Sequence, residues 1–197
     1  MKFHDITING ETFSLPSTTS IIGLARDRGM LVGDQWLTYS EETAGFGTGI
    51  HKLVAFLLEG EVIYGEEWAT YEEPERQSLR AFKRWWDFTG FRPRLVECEL
   101  VSLALGVVGH PDTIGTIKQH VEIIDWTTGV VNTGKKIQLG FYYLAYKEMY
   151  PRRSVHGARA VHLDKQTGGF SEEILSEDEL QGYASDFVKI RQAIGVI

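Results

Sequence analysis

The chain is short of cysteine, proline and long apolar runs, and each shortage removes a class of protein. Cys98 is the only cysteine, so no disulfide closes within one chain and ligand arithmetic excludes a four-cysteine iron–sulfur cluster. Five prolines in 197 residues, with 43% hydrophobic and 24% charged residues, fit an ordinary folded protein rather than a disordered or fibrous one. No stretch nears the roughly 18 apolar residues of a membrane span. The opening residues 1–13 lack an apolar run followed by a small-residue cleavage site. No membrane partner is expected, and the cytoplasm is the default location. Positive charge is also short: 20 basic against 27 acidic residues leave −7, which argues against non-specific phosphate binding as the sole function. Any nucleic-acid contact then relies on a local patch and on a cation held by clustered carboxylates. No repeat or linker divides the chain, so a single domain over residues 1–197 is expected.

What is present reads as alternating strands and helices. Residues 2–15 predict a hairpin turning at Asn9-Gly10. Ser17 or Thr18 caps a helix through Ala25, and the Gly-rich residues 33–49 read as loop with broken helical turns. From Ile50 onward His51, Val54, Ala55 and Leu58 share one helical face. A second helix over 74–88 presents Leu79, Phe82, Trp85 and Trp86, read as core packing rather than as a base-stacking surface, and Gly90 stops it. Residues 94–107 read as one long strand, 109–115 as a short strand or turn, and 120–126 as a central strand. A helix over 136–150 comes next, then a strand over 155–163, a turn over 164–169 and a last helix opened by a Ser176–Glu179 capping box.

The chemistry lies in acids at strand ends. Asp112 closes Gly109-His110-Pro111-Asp112, and Asp125 closes the hydrophobic run Val121 to Ile124. A carboxylate there needs a compensating donor or cation, and a hard divalent metal is one natural partner; capping a turn is the other reading. Glu97 and Glu99 stand two apart on one face of the preceding strand, with Cys98 turned away as inert packing. Gln138 and Tyr142, one helical turn apart, make a pair of donors suited to phosphate oxygens.

In this order these residues resemble the PD-(D/E)XK nuclease superfamily, in particular its RecB/Cas4-like phage exonuclease branch, over about residues 16–163. The carriers are Gly47-Thr48-Gly49-Ile50-His51, Glu97, Gly109-His110-Pro111-Asp112, Asp125-Trp126-Thr127-Thr128-Gly129, and Gln138 with Tyr142. The resemblance implies an α/β restriction-endonuclease-like core, with a central mixed sheet flanked by helices. It implies a Mg²⁺ or Mn²⁺ site of His51, Asp112, Asp125 and the Trp126 carbonyl, polarising a scissile phosphate and activating water. Gln138 and Tyr142 would position nucleic acid or brace the site. The substrate implied is DNA, cut by an exonuclease. Such exonucleases are often toroidal homo-oligomers or partners of a recombination or single-strand-annealing protein, and no residue of this chain carries either trait.

Where the family places its catalytic lysine, this chain has Thr127. A short neutral side chain puts no cation beside the attacking water. Three readings stand side by side: the lysine has migrated to Lys135, Lys136 or Lys118; the protein binds nucleic acid or another protein without cleaving; or the lysine was replaced by design. Basic residues available to line a channel are Arg26, Arg28, Arg92, Arg94, Arg152 and Arg153, with Arg152-Arg153 favoured for backbone contacts.

Overall fold

The computed structural model describes residues 1–31 and 41–195, and for 41–44 the backbone alone. Asn9 and Gly10, at φ 52° and 87°, turn β1 (Phe3–Ile8) back onto β2 (Glu11–Pro16), as a two-residue hairpin demands. Ser17 accepts a hydrogen bond from the Ser20 N–H and opens α1 (Thr18–Asp27). The next helix, α2 (Glu41–Leu58), corrects part of the expected loop over 33–49. Residues 41–49 are helical despite Gly45, Gly47 and Gly49, because buried Ile50, Val54 and Leu58 anchor the helix and its propagation outweighs glycine's low propensity. Residues 33–40 of that expectation lie outside the described residues.

After α3 (Gly65–Thr70), a reciprocal Glu72–Glu75 capping box opens α4 (Glu73–Thr89), and Gly90 at φ 61° ends it. The strand expected over 94–107 is instead three pieces. β3 (Arg92–Val96) stops where Glu97 adopts φ 47°, a left-handed backbone that no pleat accommodates. β4 (Leu100–Ser102) then turns through Gly106 to pair with β5 (Val107–Gly109) in a separate two-stranded sheet. The remaining elements are β6 (Thr113–Ile117), β7 (His120–Thr127), α5 (Thr133–Met149), β8 (Gly157–Leu163), β9 (Phe170–Ser176) and α6 (Glu177–Ile194). The sequence reading lacks β9. Of its residues only Leu175 is buried, so no apolar alternation announces it, and pairing with β8 defines it.

The main sheet runs β3-β6-β7-β8-β9, with β7 and β8 parallel and the other pairs antiparallel. It is the mixed, helix-flanked sheet of the restriction-endonuclease-like class, and β7 is central as its hydrophobic run implied. Two-residue alternation sorts β7 between two cores. Ile123 packs with α1, α5 and α6, while Ile124 and Trp126 pack with α2 and α4. Trp126 sits edge-on to Trp85 at 4.8 Å and to Phe82 at 5.3 Å, so these aromatics are core. Arg159 on β8 binds Glu122 on β7 and Glu172 on β9 at 2.5 and 2.6 Å, and Trp85 Nε1 donates to Glu172. One half-buried cation thus ties three strands and α4 together.

Candidate functional site

Alternation along β7 sends Asp125 toward α5, with 2% of its surface exposed. Asp112 immediately precedes β6 on the neighbouring strand and is 6% exposed. Both Asp112 oxygens are engaged: His51 Nδ1 lies 2.8 Å from Oδ1, and the Trp126 N–H donates to Oδ2 at 2.6 Å. Burial alone would raise the Asp112 pKa, but the His51 charge and hydrogen bond, with Lys135 and the Trp126 N–H, hold it below the usual carboxylate range.

Lys135 decides how the acids are compensated. Asn132 accepts a hydrogen bond from the Lys135 N–H and starts α5 at Thr133, three residues before the helix expected from periodicity. Lys135 therefore stands in the first helical turn rather than in a loop. Its ammonium pairs with Asp125 Oδ2 and donates to the Trp126 carbonyl at 3.1 Å. Burial pushes the Lys135 pKa down, against the pull of the Asp112 charge. Lys136, about 100° further around the helix, pairs with Glu173 on β9 instead. Lys118 lies in the β6–β7 turn, at the opposite end of β6 from Asp112.

Thr127 keeps the strand face of Asp125, but its hydroxyl accepts from the Gly129 N–H at 3.1 Å in a tight turn. With Thr19, Arg26, Asn132, Lys135 and Gln138 it lines a cleft of about 180 Å³. Gln138 Nε2 donates to the Tyr142 hydroxyl at 2.6 Å, which donates to the His110 carbonyl at 3.0 Å. Tyr142 is 2% exposed and braces the loop that carries Asp112. Burial first, and the Asp112 charge second, push its phenol pKa up. The glycine of the Gly109–Asp112 motif has a packing cause: a Cβ at 109 would stand 2.5 Å from the Tyr142 ring.

Glu97 does not share a strand face with Glu99. Its left-handed backbone donates to the Asp112 carbonyl at 2.9 Å, and Glu99 faces His110 at 3.5 Å. Glu97 joins His51, Asp112 and Glu59 around a second cleft of about 520 Å³, and burial together with the Asp112 charge raises its pKa. Glu59 is absent from the sequence reading; its signal is its place two helical turns after His51. Burial pushes the Cys98 thiol up to about 11. Arg152 and Arg153 come after the C-terminal end of α5, a 17-residue helix about 25 Å long that begins beside Asp125. They are not brought to the site.

Among the described residues no three His, Cys, Asp or Glu side chains gather into an ion cage. The donors present are two buried carboxylates and the Trp126 carbonyl, with Asp125 Oδ2 and that carbonyl both facing the Lys135 ammonium. That set fits a hard cation such as Mg²⁺, which takes one or two carboxylates, keeps several waters and leaves room for phosphate oxygens.

The family model of the PD-(D/E)XK nuclease superfamily matches residues 52–195, a span holding Asp112, Asp125, Lys135, Gln138 and Tyr142. Among solved structures, one titled "Crystal structure of SSO0001" is similar at 14% identity and a TM-score of 0.33, covering 88% of this chain and 86% of its own. No curated protein matches the chain.

Proposed function

The chain belongs to the PD-(D/E)XK nuclease superfamily, and on that premise we propose a divalent-metal-dependent deoxyribonuclease whose lysine has moved from position 127 to position 135. The observation that carries this reading is the Lys135 ammonium, set against Asp125 and 3.1 Å from the Trp126 carbonyl. A lysine at 127 would point to the α5 side of the same strand. Lys135 reaches that side from the facing helix, so the cation is kept while its backbone origin changes. Among the alternatives this favours migration, because the cation stands on the strand face where a lysine at 127 would bring it.

Asp112, Asp125 and the Trp126 carbonyl would hold Mg²⁺ or Mn²⁺, which when bound polarises the scissile phosphate and lowers the pKa of an attacking water. His51 orients Asp112 through its Nδ1 contact. Tyr142 fixes the loop beneath Asp112, and Gln138, at the cleft beside Lys135, ties that tyrosine to Thr19 on α1 and would give up one of these bonds to donate to a phosphate oxygen. Lys135 provides a full positive charge where negative charge develops on the phosphate oxygens, in a site largely closed to water. Exonucleolytic action on DNA is the mode that the phage-exonuclease likeness of the motif order supports.

End-labelled single- and double-stranded DNA with Mn²⁺ tests the reading. Lys135→Ala is expected to lower kcat by about 10²- to 10³-fold, the usual loss for one transition-state donor. Lys136→Ala is expected to cut normally. Thr127→Lys added to Lys135→Ala should restore part of the rate, because it returns a cation to the same pocket. Full activity in Lys135→Ala would sink the migrated-lysine reading, and silence of the native protein toward both substrates would sink the nuclease reading.

A further inference from the structure

At the other end of the sheet lies a concave surface with the opposite electrostatic character. Arg92 and Arg94 on β3, and Lys118 in the β6–β7 turn, line a cleft of about 490 Å³ together with Thr116, Gln119 and Thr89. No carboxylate lines it. Lys135 and Lys136 each face an acid. Among the described residues no ion pair or hydrogen bond engages the side chains of Arg92, Arg94 or Lys118. Three unpaired cations converging in a chain of net charge −7 are not explained by composition.

Two local causes fall short. The C-terminal end of α4 reaches this cleft at Thr89 and Gly90 and attracts cations, but its partial charge of roughly −0.5 leaves most of three positive charges uncompensated. Turn chemistry does not select the residues either. Lys118 and Gln119 sit at φ 47° and 74° between paired Ile117 and His120, positions that favour Asn-Gly. A lysine held in left-handed backbone at a cleft mouth is placed by something other than backbone preference. Arg152 and Arg153 lie at this same end of the sheet, because α5 runs back along it before β8 begins. In strand order, the stacked rings of His120 and His156, 4.9 Å apart, come between.

We propose that the Arg92–Arg94–Lys118 cleft is a second nucleic-acid site, binding backbone phosphates of a strand remote from the bond being cut. Three cations spread over a cleft of about 490 Å³, with Arg152 and Arg153 at the same end of the sheet, fit a polyanion better than one small anion, and the choice of nucleic acid rests on the nuclease reading above. Asp112 and Lys118 stand at opposite ends of β6, about 20 Å apart along the strand direction. A short oligonucleotide at the acids therefore does not reach the cleft, while a longer one does. Phosphate contacts here position the substrate without reading its sequence.

The test is equilibrium binding of a fluorescein-labelled single-stranded DNA of about 20 nucleotides in EDTA, over a series of KCl concentrations, with Mn²⁺ cleavage of the same DNA assayed separately. Arg92→Ser/Arg94→Ser/Lys118→Ser is compared with Arg80→Ser/Lys83→Ser/Lys189→Ser, which removes equal charge elsewhere. The cleft variant should flatten the slope of log affinity against log salt by about 2, at about 0.7 per phosphate contact on single-stranded DNA, and the control should leave it unchanged. Should the triple variant lose its circular-dichroism spectrum, Lys118→Glu alone is expected to shift the slope the same way. Equal slopes in cleft variant and control overturn the proposal while leaving the nuclease reading intact. A flattened slope with no Mn²⁺ cleavage by the native protein upholds the phosphate site and removes the catalytic reading. Native protein that binds no DNA at low salt overturns the phosphate site, and the nuclease reading then stands or falls on the Mn²⁺ cleavage assay alone.

Discussion

A charge taken out of water needs a counter-charge, and this chain meets the need in two ways. Around Arg159 the solution is static: Glu122 and Glu172 flank the guanidinium on neighbouring strands. Removing the cation as Arg159→Met would leave two largely buried carboxylates facing each other. The expected loss is about 3–5 kcal/mol, the range for breaking one partner out of a buried pair, read from urea denaturation. Around Asp125 the counter-charge is one lysine from the first turn of a helix, with no second ion pair among the described residues bracing it as the two glutamates brace Arg159. Half-buried Cys98 shows what desolvation does to a group with no counter-charge. With its thiol raised to about 11, only about one molecule in a thousand carries thiolate at pH 8. Alkylation by iodoacetamide at pH 8 should therefore run far slower than for free cysteine, and a matching rate would contradict the packed environment.

At the scale of elements, close approach and capping set what the chain tolerates. Gly140 lets α5 and α6 cross so closely that a Cβ there would stand 2.5 Å from the Ala184 backbone nitrogen. Gly140→Ala should destabilise by about 1–3 kcal/mol through overpacking, seen as a lower denaturant midpoint. Gln119→Gly should act in reverse, relieving left-handed strain in the β6–β7 turn by about 1 kcal/mol without touching Lys118. The long periodic elements were legible in the sequence: α4, α6, β7 and the first hairpin all stand where pattern, caps and turn residues put them. Elements whose cause is tertiary were not. β9 is an exposed edge strand recognised only by its partner, Glu97 breaks a strand by one dihedral, and the first turns of α2 are helical because its later turns are anchored in the core. The same divide runs through the site. His51, Asp112, Asp125, Gln138 and Tyr142 were found by motif and do lie close together. The contact between Lys135 and Asp125 depends on where α5 begins, which periodicity misplaced by three residues.

For the whole molecule, β6 and β7 separate two sites: the buried acids with one enclosed lysine at one end, and the Arg92–Arg94–Lys118 cleft at the other. A cation bound at Asp112 and Asp125 favours the folded state. Mn²⁺ at about 100 times its dissociation constant should add about 2.7 kcal/mol of stability, measured by thermal denaturation, and Asp125→Ala should abolish that increment. Equal stabilisation of both proteins would place the ion elsewhere. Because Lys135 belongs to the first turn of α5, its position is only as durable as that turn, held by the Asn132 cap. Helix ends open locally at far lower free energy than whole domains. A strand-borne lysine would survive until the sheet itself comes apart, whereas this one is released when a single turn frays. The proposed nuclease activity should then fade on warming while the circular-dichroism signal is still native, making the start of α5 a thermal fuse for the site.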